Sequence, residues 1–279
     1  MIKKLWEWAT GSIPDTEYRL IRTAVGLGSA LAFATWVQAA YIGKTLPANP
    51  VNTAYPGSVL WWVLWILGMT GSILLLTGFG KRAASLLVFL GLQACGGFAV
   101  NWAGLALISS AGVLVFAGGT SVPAWPKRLL QVQLPIGYLI AVSSKLLLSA
   151  EWRNLEAFEN LTKHQMNKYL WPTIPQGLLS VFDATGIFLE AGAALFLAWG
   201  LFSKRGWPRK LGLVFSIILH LGISLFIPVG LFIFGVMPYW AASSKRTNVP
   251  RPLVWTGMAL VITILLFNVG IDGNPFKVW

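Results

Sequence analysis

Apolar residues fall into nine long runs, at approximately residues 19–42, 58–78, 83–100, 102–118, 129–148, 178–202, 211–226, 229–242 and 253–267. Each is too long for a globular strand, and several approach the roughly 20 residues that carry an α-helix through a 30 Å hydrocarbon layer. The pattern predicts an all-α, polytopic helical membrane protein with eight to nine transmembrane segments. The count turns on two places. The third and fourth runs are separated by little more than Asn101, and the seventh and eighth flank Pro228, where two short crossings or one broken, re-entrant unit both fit.

Between the runs the chain divides into three parts. Residues 1–16 carry Lys3, Lys4, Trp6 and Trp8 around few long apolar stretches; they read as an interfacial basic and aromatic helix rather than a cleavable signal peptide. Residues 17–244 form the main transmembrane domain, and residues 245–279 add a final crossing and a short tail. Within the main domain the longest polar stretch is 151–175, where Trp152, Leu155, Phe158, Leu161 and Met166 recur near helical spacing, predicting an amphipathic helix on the membrane surface.

Composition agrees. Of the 279 residues 56% are hydrophobic, 11% are charged and 15 are Trp, which excludes an ordinary soluble domain and a disordered chain. The single cysteine, Cys95, excludes an internal disulfide and a CxxC pair. Two histidines far apart in sequence predict no metal site.

The formal charge of +12 resolves into a topology. With alternate loops assigned to alternate sides, fifteen of the 21 Lys and Arg residues fall on one side, including Lys81, Arg82, Lys127, Arg128, Lys204 and Arg205. Five fall on the other (Lys44, Arg153, Lys163, Lys168 and Lys277), and Lys145 lies within a run. The positive-inside rule then places the N-terminus in the cytoplasm. Cations paired at helix ends point to anionic lipid headgroups, not to nucleic acid.

Ionisable groups at bilayer depth are costly and are functional candidates by default. Four qualify: Lys145, Asp183, Glu190 and His220, on three consecutive runs, able to line one cavity open to the outer leaflet. A desolvated lysine amine is a base near neutral pH; the competing reading is that Lys145 snorkels to the nearby interface. For Glu190 and His220 the alternative is a hydrogen bond or ion pair between helices. Asp183 follows Pro175 and Gly177, so capping competes with a site role, and His164 reads as a solvated surface residue. Trp61, Trp62, Trp65, Trp171, Tyr239 and Trp240 read mostly as an interfacial aromatic belt, and Gly96, Gly97, Gly192 and Gly222 as points of close helix approach.

The stretch Gln131-Val-Gln-Leu-Pro-Ile-Gly-Tyr138-Leu-Ile-Ala-Val-Ser-Ser-Lys145, followed by Glu151-Trp152, resembles the horizontally transferred transmembrane (HTTM) domain family. That family includes the vitamin K-dependent gamma-carboxylases and SdpB-like bacterial toxin-maturation proteins. Phe188-Leu189-Glu190 resembles its acidic position in the next helix, and His220-Leu-Gly-Ile-Ser-Leu-Phe226 its histidine helix, in the same order over roughly residues 17–244. The resemblance implies a multi-pass protein of the bacterial inner (plasma) membrane. It implies that Lys145 is the base acting on a reduced, vitamin K-like quinone, with Glu190 and His220 beside it in the catalytic set and Tyr138 and Trp152 near the cofactor; Asp183 is placed with the cofactor-binding residues by its depth in the membrane alone.

Two function classes follow. One is a quinol-dependent carboxylase-like or peptide-modifying enzyme. The other is a non-catalytic subunit or scaffold of a larger membrane complex, holding lipids, pigments or partner helices. Maturation of, or immunity to, a secreted peptide is a third reading, carried by fold-level analogy.

Overall fold

The computed structural model describes residues 6–8, 10–41, 58–95, 102–118, 122–160, 175–226, 232–244, 249 and 251–270. Among these, a helix lies on each apolar run: α1 (Thr16–Tyr41), α2 (Val59–Thr77), α3 (Lys81–Cys95), α4 (Trp102–Leu114), α5 (Trp125–Leu148), then a short α6 (Ala150–Arg153), α7 (Gln176–Phe202), α8 (Trp207–Phe226), α9 (Phe232–Ser243) and α10 (Arg251–Gly270). The only described strands are β1 (Ser12–Ile13) and β2 (Val122–Pro123), so the fold is all-α apart from one two-residue ladder. Among the described residues four helices are long and apolar enough to cross a bilayer, at Thr16–Val37, Val59–Thr77, Trp125–Leu148 and Gly177–Phe202. They mark the chain as a helical membrane protein. Residues 227–230, with Pro228, lie outside the described set, as do Gly96, Gly97, His164 and Trp171.

The chain packs as two units, one of residues 1–130 and 234–279, the other of residues 131–233. In the first, α1 is the centre: Ile21, Val25, Ala30, Leu31 and Phe33 are fully buried. Lipid tails are as apolar as leucine, so helices associate in a membrane through close packing rather than hydrophobic expulsion. Gly26 meets that need, because a Cβ there would sit 2.5 Å from the Leu76 backbone nitrogen of α2. The opposite side of α2 exposes Leu60, Val63 and Ile66, as a lipid-facing surface does. Ser58 caps the start of α2, accepting from the Trp61 N–H at 3.1 Å. Trp61 is core, not belt, at 1% exposure, and the Trp65 indole donates to the Phe33 carbonyl at 2.8 Å.

The described part of the N-terminal segment of this unit is helical at its start and extended at its end. After a helical turn at residues 6–8, Ser12 and Ile13 pair antiparallel with Pro123 and Val122, strapping the segment to the α4–α5 connection. The Tyr18 hydroxyl donates to the Pro123 carbonyl at 2.6 Å and accepts from the Lys127 N–H at 3.2 Å. Buried Arg22 pairs with Asp15 at 2.7 Å and donates to the Ala117 carbonyl at 2.6 Å; Lys81 reaches Asp15 at 2.9 Å, and Lys127 reaches Glu17 at 2.6 Å. Three of the cations expected to face lipid headgroups are therefore held by protein carboxylates. Partial burial pulls the Asp15 carboxyl upward, but the Arg22 and Lys81 hydrogen bonds together outweigh it and hold the group below the ordinary carboxylate value.

In the second unit α7 and α8 form an antiparallel hairpin. A Cβ on Gly192 would fall 2.3 Å from the Phe215 ring, while further along Gly212 lies against Leu197, so the paired positions run in opposite directions. Gly222, expected to serve the same close approach, has open space around its Cβ position and needs another reason to be glycine.

Candidate polar site within the helices

The second half of α5 carries Tyr138 and Lys145 seven residues apart, two turns on one helix face. Each meets a partner from the hairpin. Lys145 Nζ donates to Glu190 Oε1 of α7 in an ion pair whose side chains are 19% and 7% exposed. Its other neighbour is the Trp152 ring of α6, with the ammonium 4.3 Å from the ring centroid, within the range of a cation–π contact. Lys145 is therefore held between an acid and an indole. Glu190 Oε2, the second carboxylate oxygen, is buried and has no hydrogen-bond partner among the described residues.

Tyr138 meets the other helix of the hairpin, α8. Its hydroxyl hydrogen bonds to the Ser216 hydroxyl of α8 and lies 3.2 Å from His220 Nδ1. His220 Nδ1 also lies 2.8 Å from the Ser216 carbonyl oxygen. A carbonyl only accepts, so the imidazole carries its proton on Nδ1 and is oriented by its own helix. His220 is 3% exposed. The structure thus brings Lys145, Glu190 and Trp152 together and gathers Tyr138 and His220 around Ser216, a residue that sequence reasoning missed. The signal was present: Ser216 precedes His220 by four residues, on the same helical face.

Asp183 takes a different place. Fully buried on α7, it receives the backbone N–H of Phe158 on both carboxylate oxygens, at 3.1 and 3.3 Å. It caps the segment that follows α5, the alternative weighed against a cofactor role. That segment is not one continuous amphipathic helix in its described part. Helical residues 150–153 and 157–160 are separated by a turn in which Leu155 adopts φ 60°. Residues 161–174 lie outside the described set.

Among the described residues no three His, Cys, Asp or Glu side chains gather as a metal site would require. Comparison with family models, curated proteins and solved structures gives no match.

Proposed function

We propose that this chain is an HTTM-type enzyme of the bacterial inner membrane, crossing it nine times from a cytoplasmic N-terminus, and that the Lys145–Glu190 pair takes a proton from the hydroxyl of a reduced, vitamin K-like quinone. The observation that carries the reading is Glu190 Oε2. A buried carboxylate oxygen without a donor costs several kcal/mol in an apolar setting, typically about 1–3 or more, and a ligand hydroxyl aimed at it repays that cost. A hydroquinone has the right chemistry, being an apolar ring with an ionisable O–H and an isoprenoid tail that partitions into the membrane.

When bound, such a quinol supplies an acidic hydroxyl on a ring that oxygen can oxidise. The chain supplies the rest. Glu190 Oε2 accepts the hydrogen bond, the proton passes to the pair as a unit, and the Lys145 ammonium balances the negative charge left on the ligand oxygen. Trp152 lies against the ammonium, 4.3 Å from its ring centroid, and limits access of water. The Ser216-oriented His220 and Tyr138 form a second polar point two turns along α5.

A second reading has its own support. Two polar links between described residues, Lys145–Glu190 and Tyr138–Ser216, tie α5 to the α7–α8 hairpin, so the pair could serve as a staple in a scaffold that holds lipids or partner subunits. Purified protein in lipid nanodiscs, given a reduced naphthoquinone and then oxygen, separates the readings. The enzyme reading expects oxygen-dependent turnover that falls by about 100-fold or more in Lys145→Met and in Glu190→Gln, the scale of a lost general base. Undiminished turnover in a folded Lys145→Met protein overturns it. Loss of stability without any turnover in the wild type supports the staple.

A further inference from the structure

We propose that Asp183 is a positioning residue: through the backbone of Phe158 it clasps the segment after α5 so that Trp152 stays seated over Lys145 and screens the Lys145–Glu190 pair from bulk water. This rests on the reading of that pair as the site.

The chain must reverse direction after Leu148, and several devices force the reversal. The Ser149 hydroxyl caps α6 from the Trp152 N–H at 3.5 Å, and the Glu156 N–H returns to the Glu151 carbonyl at 2.8 Å. Leu155 sits in the left-handed region at φ 60°, a conformation costing a non-glycine residue about 1–2 kcal/mol. Such strain persists only where the surroundings over-determine it. Here α7 does so at two points. Ser180 Oγ donates to the Leu155 carbonyl at 3.1 Å, and Asp183 takes the Phe158 N–H on both oxygens.

The clasp transmits to the pair through aromatic rings. The Phe158 ring lies edge-on to Trp152 with centroids 6.3 Å apart, and against Phe182 at 6.0 Å. Trp152 in turn covers the Lys145 ammonium. Asp183 and Glu190 are seven residues apart on α7, so one helix face carries both the acid that pairs with the lysine and the acid that holds its cover. A buried acid spent on a backbone N–H is an expensive way to pin a loop. It is understandable where the loop must not drift.

The test is acetylation of Lys145 by a water-soluble amine-reactive ester, applied to the full chain in nanodiscs and quantified by peptide mass spectrometry, with Lys81 as internal reference. No quinol is added, so the clasp can pass or fail independently of the proposed chemistry. Asp183→Ala is expected to raise Lys145 acetylation about tenfold, and Trp152→Ala by the same amount, the scale expected for loss of a cation–π cover. Asp183→Asn, which keeps an acceptor oxygen, should stay within about twofold of wild type. The double variant Asp183→Ala/Trp152→Ala should exceed Trp152→Ala by no more than about twofold, because both changes act through one ring. Should Asp183→Ala fail to fold, Ser180→Ala replaces it in the same cycle, with an expected rise of about threefold. An unchanged Lys145 rate in the folded clasp variant, or effects that multiply in the double variant, overturns the proposal.

Discussion

At the scale of single residues, two buried polar clusters were open to a reading of the sequence and their membership was not. The cost of charge at bilayer depth singles out Lys145, Asp183, Glu190 and His220 without coordinates. Which of them touch depends on the rotation of three helices, which no local pattern encodes. Lys145 meets Glu190, whereas the described hydrogen bonds of His220 go to Ser216 and Tyr138. Because the Tyr138 hydroxyl is shared with Ser216 and His220 rather than with the ion pair, Tyr138→Phe should lower stability in detergent by about 1–2 kcal/mol through the lost hydroxyl contacts, while Lys145 acetylation stays within about twofold of wild type. A parallel change in both would join the clusters into one. Asp15 offers a second test. Its carboxyl is held below the ordinary value of 3.8, so the stability it contributes is complete above that pH and is lost as the pH falls through the lower, folded value. Asp15→Asn should therefore cost about 2–3 kcal/mol near neutrality, since buried Arg22 loses its counter-ion, and progressively less once the pH is brought below 3.8. Thermal unfolding near neutrality and below that pH reads the difference, and an equal cost in both ranges would remove the linkage.

At the scale of elements, the apolar runs located the helices closely because hydropathy over a long window is a collective signal that single substitutions do not blur. The places where it failed are those decided by individual contacts. The segment after α5 has helical spacing in its sequence, yet its ends are tied to Ser180 and Asp183 and it breaks at Leu155. Glycines divide in the same way: Gly192 lies against the Phe215 ring and Gly222 against nothing. Gly192→Ala should therefore destabilise the α7–α8 hairpin by about 1–3 kcal/mol, the usual cost of overpacking. Gly222→Ala should be neutral or slightly stabilising, since alanine favours helix by up to about 1 kcal/mol. Melting temperatures of the two variants compare them directly, and equal shifts would deny that the hairpin depends on this approach.

At the scale of the whole molecule, the all-α character was legible from composition and the two-unit organisation was not. The first unit joins residues 1–130 to residues 234–279, a contact between chain ends that no window of sequence contains. The strap of Ser12–Ile13 on Val122–Pro123 is equally long-range, and it ties the end of the N-terminal segment into the protein's own packing. The proposed orientation in the membrane rests on the lysine and arginine asymmetry and has a simple check. With Cys95 replaced by alanine, a membrane-impermeant maleimide should label Glu151→Cys in intact cells and Lys204→Cys only after lysis; the reverse order would invert the topology.

The most direct test of the central claim compares two ligands at the Lys145–Glu190 pair: a reduced naphthoquinone and its dimethyl ether, the same ring and tail with both hydroxyls capped. Binding to the nanodisc protein should be at least about tenfold tighter for the quinol, the worth of a hydrogen bond to a buried carboxylate, and Glu190→Gln should erase the difference. Equal affinity for the two ligands, or none for either, would contradict the account.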